Sequence, residues 1–152
     1  MSIPQSVIRL YVRGQNLGAG KKKEEIQHMK FMTLVKSSEN SGPPPPALME
    51  AITKLSEDGA RAGTLLQAGG LAPTATSVRV RVEKGKVLVL DGPYSETKEV
   101  VGGFALFDVD SKQEMIDATV KFMQLHAEYW HGWEGETEIR QLFGPEDYKS
   151  QG

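Results

Sequence analysis

Cysteine is absent from the 152 residues. That excludes disulfides, thiolate zinc sites and cysteine nucleophiles. The chain therefore needs no oxidising compartment, and a cytoplasmic location is expected. Histidine is almost as scarce, with only His28, His126 and His131. His126 and His131 are five apart, whereas ligands on one helical face are three or four apart, so no metal is expected. No apolar run reaches the roughly 18 residues of a membrane-spanning helix, so no membrane partner is expected. No phosphate loop or dinucleotide fingerprint occurs, because Gly102-Gly103 leads into a strand-like run and not a helix. No cofactor is expected. A basic face is also lacking. The net charge is -2, and residues 1–28 hold +3 of it, leaving the body near -5. An acidic body argues against nucleic acid as a partner.

What remains suits one domain. Apolar residues make up 39 % and charged residues 25 %, enough for one modest core. Residues 1–28 look separate from the rest. "MSIPQSVIRLYVRGQNLGAGKKKEEIQH" precedes a fresh start at "MKFMTLVK", and His28-Met29 is what the cloning-site sequence CATATG encodes. Two readings are open: an expression leader or flexible arm, or a native extension in which "SVIRLYVR" pairs as a strand. The domain is expected over 29–152.

Met29–Lys36 is short, apolar and followed by a Ser/Asn/Gly/Pro stretch, so it reads as a strand. The prolines 43–46 stiffen the connection. Leu48, Ile52 and Leu55 recur at helical spacing and predict a helix over Ala47–Ala62, with Gly63 as its stop. "TLLQA" (64–68) is a short strand. In "SVRVRVEKGKVLVL" (77–90) Val78, Val80 and Val82 alternate with Arg79 and Arg81, and Lys84-Gly85 supplies a turn. This is a hairpin, expected to lay one face on a core. "GFALFDVD" (103–110) is an inner strand. Ser111 and Glu114 form an S-x-x-E capping box. Ile116, Val120 and Met123 make the following helical stripe, which runs to about His126. "ETEIRQLF" (136–143) is the last strand. The order β-α-β-(β-β)-β-α-β argues for α+β: a ferredoxin-like split β-α-β with an inserted hairpin and an antiparallel sheet. Two helices cover one face only. The bare face predicts a symmetric homodimer.

The densest chemistry is "LDGPYSETKEVVGGF" (90–104). Pro93 fixes φ and Gly92 permits unusual angles, so the turn is rigid. Asp91 can accept backbone N–H groups and clamp its own turn, or it can act as an acid or base. Tyr94, Ser95, Glu96, Lys98 and Glu99 put polar groups in one connection, and such loops often hold sites for small polar ligands. Ser95-x-x-Lys98 matches the spacing of serine acyl enzymes, but no Lys-Thr-Gly follows. His126 falls on the row of Met115, Thr119 and Phe122. It either closes a core edge or serves as a general base beside a carboxylate. Tyr129, Trp130 and Trp133 would seal an edge nearby.

"MKFMTLVK", the run from Val89 to Phe122 and "EIRQLF" together resemble the YciI-related family, in its DGPF-domain branch. Tyr94 stands where the branch has its phenylalanine after Asp91-Gly92-Pro93. The resemblance covers about Met29 to Tyr148. It implies a dimeric α/β barrel, two ferredoxin-like subunits packed sheet to sheet. It implies no settled activity. A His/Asp catalytic pair has been suggested for some members, and many proteins of the branch are associated with alternative sigma factors. Three functional expectations follow: a dimeric module binding a small polar ligand, a small cofactor-independent enzyme using Asp91, Lys98 or His126 in acid-base roles, and a regulatory partner of a sigma factor.

Overall fold

The computed structural model describes residues 28–94 and 99–149. The chain runs through β1 (Met29–Ser37), α1 (Pro46–Arg61), β2 (Leu65–Gly70), β3 (Val78–Glu83), β4 (Lys86–Asp91), β5 (Val100–Val109), α2 (Lys112–Tyr129), β6 (Gly135–Gln141) and α3 (Pro145–Lys149). One four-stranded sheet has the order β2-β5-β1-β6, and every neighbouring pair is antiparallel. With β3 and β4 set aside, this is the ferredoxin-like arrangement. Among the described residues a single chain supplies an open sheet and no closed barrel.

Local signals explain the elements. Pro46 opens α1 at a position where its missing N–H costs no bond. Ser111 caps α2 by accepting from the Glu114 N–H, and Glu114 reaches back to the N–H of Asp110. The helix α3 was not expected. Its signal lay in Pro145-Glu146-Asp147, a proline followed by acids in a first turn, and Asp147 accepts from the Gly144 N–H.

Alternation divides the sheet into two faces. Phe31, Phe107, Val109 and Ile139 point to one side, where Met115 and Ala118 of α2 meet them. Leu48 on α1 and Met115 on α2 are fully buried. Met32, Leu34, Phe104 and Leu106 point to the other side, which no described helix covers, and there they are half-buried. The Phe104 ring lies over Gly69 on this bare face, filling the space that a side chain would take. Lys36, Glu138 and Arg140 rim it on the β6 side.

The hairpin departs from expectation. Its turn is as read, with Lys84 at φ 50° and Gly85 at φ 76°, the positive angles of a tight hairpin turn. But β3 and β4 form a sheet of their own and do not lie on the core. Val80 is 68 % exposed and Val82 73 %. Period-two alternation assigns residues to a common face; it does not say what covers that face. Among the described residues no helix is long and apolar enough to cross a membrane.

Candidate functional site

The connection between β2 and β3 and the turn after β4 hold each other. The Gly92 N–H donates to the Ser77 carbonyl at 2.8 Å. A Cβ at position 92 would run into the Thr74 carbonyl, so the close approach of these two segments requires glycine. Ser77 has one hydroxyl hydrogen. It lies 2.9 Å from the Thr74 carbonyl and 2.9 Å from Tyr94 Oη. A carbonyl can only accept, so Ser77 donates to it, and the Tyr94 hydroxyl donates to Ser77 Oγ. The Arg79 guanidinium sits 3.5 Å over the Tyr94 ring, a cation–π contact. Glu39, on the loop after β1, accepts from both the Thr74 N–H at 2.6 Å and the Thr74 hydroxyl at 2.8 Å. These bonds, the backbone one first, hold its carboxyl below the usual carboxylate range.

Asp91 ends β4 opposite Val78 and is exposed. Its carboxylate makes no hydrogen bond among the described residues, and residues 95–98 of the same turn lie outside them. The residue two positions on is Pro93, which has no N–H to give. Ser77 and Gly92 do the holding. Ser95, Glu96 and Lys98 lie outside the described residues. Glu99 is exposed, and its charge helps to raise the pKa of Lys36 on the bare sheet face. The chief cause of that rise is the Lys36–Glu138 hydrogen bond, opposed by desolvation; Glu138 is lowered in return, first by the same bond. Arg140 Nε lies 3.7 Å from the other oxygen of Glu138.

His126 stands apart from this group. It is buried near the end of α2, its ring between Phe122 at 4.6 Å and Trp133 at 4.7 Å, and Trp133 stacks on Trp130. Its Nδ1 is 3.1 Å from the Phe122 carbonyl, so Nδ1 carries the proton and Nε2 of the neutral ring is the acceptor. Burial lowers its pKa, against the rise that the Phe122 bond gives. No hydrogen bond, ion pair or ring contact among the described residues joins it to Asp91. The core-edge role is the one its packing displays. Beside it, α2 and β6 leave a shallow apolar groove of about 430 Å³ that includes Val120, Met123 and Ile139.

Three contacts escaped the sequence reading. His28 Nδ1 lies 3.2 Å from Asp108 Oδ1 at the start of β1, although His28 was counted with the leader. The Lys36–Glu138 pair joins residues 102 positions apart, and only the β1–β6 register brings them together. Arg79 was visible as part of an alternating pattern, but nothing in the pattern announced its stacking on Tyr94. Among the described residues no three His, Asp or Glu side chains gather as metal ligands would.

Comparison with known proteins gives two findings. A family model described as the YCII-related domain matches residues 29–122. An uncharacterised protein of Rhizobium meliloti (strain 1021) is 41 % identical over 56 residues, which is 37 % of this chain. The chain spans less than half the length of that relative, 45 %.

Proposed function

The chain belongs to the YCII-related domain family, and from that premise we propose that it is a homodimeric module binding a small polar ligand at the turn after β4. The observation that carries this reading is the Asp91 carboxylate. Among the described residues, Ser77, Thr74, Glu39 and Tyr94 are engaged around the turn, bonding one another or the backbone. Asp91 is exposed and holds nothing among the described residues. A carboxylate with no partner among the described residues, on a scaffold fixed by its neighbours, is suited to accept from a ligand ammonium, amide or hydroxyl. Ser95, Glu96, Lys98 and Glu99 complete the site in this proposal, with Lys98 taking an anionic end of the ligand. The homodimer forms through the bare sheet face, where Met32, Leu34, Phe104 and Leu106 lie uncovered by any described helix. A cysteine-free chain fits the cytoplasm, which is where this reading puts it. A sigma-factor partner stays an implication of the resemblance alone.

The test is a thermal-shift screen with small amines, amino acids, carboxylates and phosphates, followed by calorimetric titration of the hits. Asp91→Asn is expected to weaken an amine-bearing hit at least about tenfold, the loss of one charge-assisted contact. A hit bound equally well by Asp91→Asn and by Lys98→Ala refutes the site.

A second reading has one observation in its favour. The proton fixed on Nδ1 of His126, together with its lowered pKa, leaves Nε2 a neutral acceptor near pH 7. This is the state a general base needs. In a cofactor-independent enzyme His126 would be that base and Asp91 a second acid-base group on another step. An activity that survives His126→Gln unchanged in both rate and pH profile removes this reading.

A further inference from the structure

The strands β3 and β4 pair only with each other, and their valine face is exposed at Val78, Val80, Val82, Val87 and Val89. Packing on that face therefore does not fix how the hairpin sits on the main sheet. Hydrogen bonds at its base tie it instead. The Leu71 N–H donates to the Gly102 carbonyl at 2.9 Å, which ties the start of the β2–β3 connection to β5. Glu39 ties its middle, accepting from Thr74 at 2.6 Å from the N–H and 2.8 Å from the hydroxyl. Thr74 opens a short 3-10 turn, Thr74–Thr76, and the residue before it is Pro73. A proline side chain has no acceptor to cap that turn. A carboxylate 35 positions away does so. Glu39 stands two residues beyond Ser37, the end of β1. Its own loop is held: Ser38 Oγ accepts from the Asn40 N–H, and the Ser41 hydroxyl donates to the Ser38 carbonyl.

From Thr74 the bonds continue to the turn after β4. The Ser77 N–H and hydroxyl both donate to the Thr74 carbonyl, at 3.0 and 2.9 Å. The Ser77 carbonyl accepts from the Gly92 N–H, and Ser77 Oγ accepts from the Tyr94 hydroxyl. Asp91 stands immediately before Gly92. We propose that Glu39 is a positioning residue of the ligand site, fixing Asp91 relative to β5 through Thr74 and Ser77. The inference rests on the reading of Asp91 as the ligand's carboxylate partner, and it adds a residue that touches no ligand. Asp91 ends the hairpin, whereas Glu99 leads into β5 of the main sheet. A ligand held between them meets groups on two separate sheets. Fixing the hairpin sets their separation in advance, and a preorganised site loses less freedom on binding. Two carboxylate oxygens on two Thr74 donors fix orientation as well as distance. The charge of Glu39 would also attract an ammonium from a distance. The two effects separate, because glutamine removes the charge and keeps one acceptor oxygen.

The experiment titrates ethanolamine and glycinamide, small ammonium probes, into the full chain by calorimetry, with far-UV circular dichroism of each variant. Glu39→Ala is expected to weaken binding about tenfold. Glu39→Gln still accepts from the Thr74 N–H and is expected to lose no more than about threefold. Thr74→Val keeps the N–H and loses the hydroxyl. Alone it is expected to weaken binding about threefold, and in the Glu39→Ala background to add nothing. Hydrogen exchange reads the same path without a probe. The Gly92 amide should exchange about tenfold faster in Glu39→Ala, with the amides of β1 and β6 unchanged. Equal losses in Glu39→Gln and Glu39→Ala overturn the inference in favour of charge alone. Binding unchanged in Glu39→Ala but weakened in Asp91→Asn overturns the inference and keeps the site. Binding unchanged in Asp91→Asn overturns the site and the inference with it, as does a wild-type chain that binds neither probe. Should Glu39→Ala lose strand content, Thr74→Val decides, and unchanged binding there overturns the inference.

Discussion

The four-stranded sheet and the β3–β4 hairpin are written in the same alternating pattern and end in opposite environments. In β1, Phe31 and Thr33 alternate with Met32 and Leu34; Phe31 and Thr33 are buried under the helices. In β3, Val80 and Val82 alternate with Arg81, yet the valines are mostly exposed. The difference is connectivity. Each half of the split β-α-β returns a helix across one face of the sheet. Among the described residues, the hairpin leaves β2 and rejoins β5 with no α-helix of its own, only the 3-10 turn Thr74–Thr76. A strand's pattern therefore selects a face, while the crossover decides whether that face is covered within one chain.

The largest effect that sharpens this contrast is in the core. Met115→Ala removes a fully buried side chain packed against Phe31 and Val109. It is expected to cost about 2–5 kcal/mol by denaturant titration. Val87→Ala, at a site 67 % exposed, is expected to cost less than about 1 kcal/mol at concentrations too low for association. Equal losses at the two sites would mean that the hairpin is packed within the single chain.

Next in size is the turn that joins the two regions. Gly92→Ala puts a Cβ into the Thr74 carbonyl, which is backbone and cannot swing aside. A loss of about 1–3 kcal/mol is expected. The neighbouring Asp91→Asn, which breaks no hydrogen bond among the described residues, is expected to stay within about 0.5 kcal/mol. Should the two costs be reversed, the Asp91 carboxylate holds the turn after all and is not free for a ligand.

How much of this was legible follows from the range of each interaction. The strands of the main sheet, both long helices and the Ser111 cap are set by patterns within a few residues, and all were readable. So was the α+β order. The failures have a common cause. The exposure of the valine face, the Lys36–Glu138 pair and the Arg79–Tyr94 stack depend on which distant segments meet. For Asp91 local chemistry bears on the clamp directly, because the proline at 93 removes the donor two residues on. For His126 the row of Met115, Thr119 and Phe122 pointed correctly to the core edge, whereas its enclosure by Trp133 needed the turn after α2.

His126 gives the pH test of that edge. Burial lowers its pKa below the ordinary 6.5. Between the lowered folded value and 6.5, the unfolded chain binds the proton more readily than the folded one. Stability from the neutral ring is therefore complete above about pH 6.5 and is lost as pH falls through that window. His126→Gln cannot take up the proton. From about pH 8 to about pH 5, its denaturation midpoint should fall less than that of the wild type, measured in parallel urea titrations. Parallel curves would mean that the ring is solvated in both states.

The smallest expected effect concerns the start of the chain and sharpens the comparison from the sheet side. Removing residues 1–28 takes away His28 and its contact with Asp108, an ion pair only when the ring is protonated. The His28 side chain is 69 % exposed, and a pair so open to solvent contributes little. The shortened chain begins at Met29, the first residue of β1, and keeps the whole β1–β5 and β1–β6 register. If the segment is a leader or arm, its loss should shift stability by less than about 0.5 kcal/mol in denaturant titration. A loss of several times that size would mean that part of it packs on the domain, and "SVIRLYVR" is the stretch with the apolar side chains to do so. The natural place would be the open edge of β6, the outermost strand on that side of the sheet. Truncation to Arg13 would then leave stability lowered by the full amount, whereas truncation to Ile3 would not, and the pair of variants would locate the packed segment.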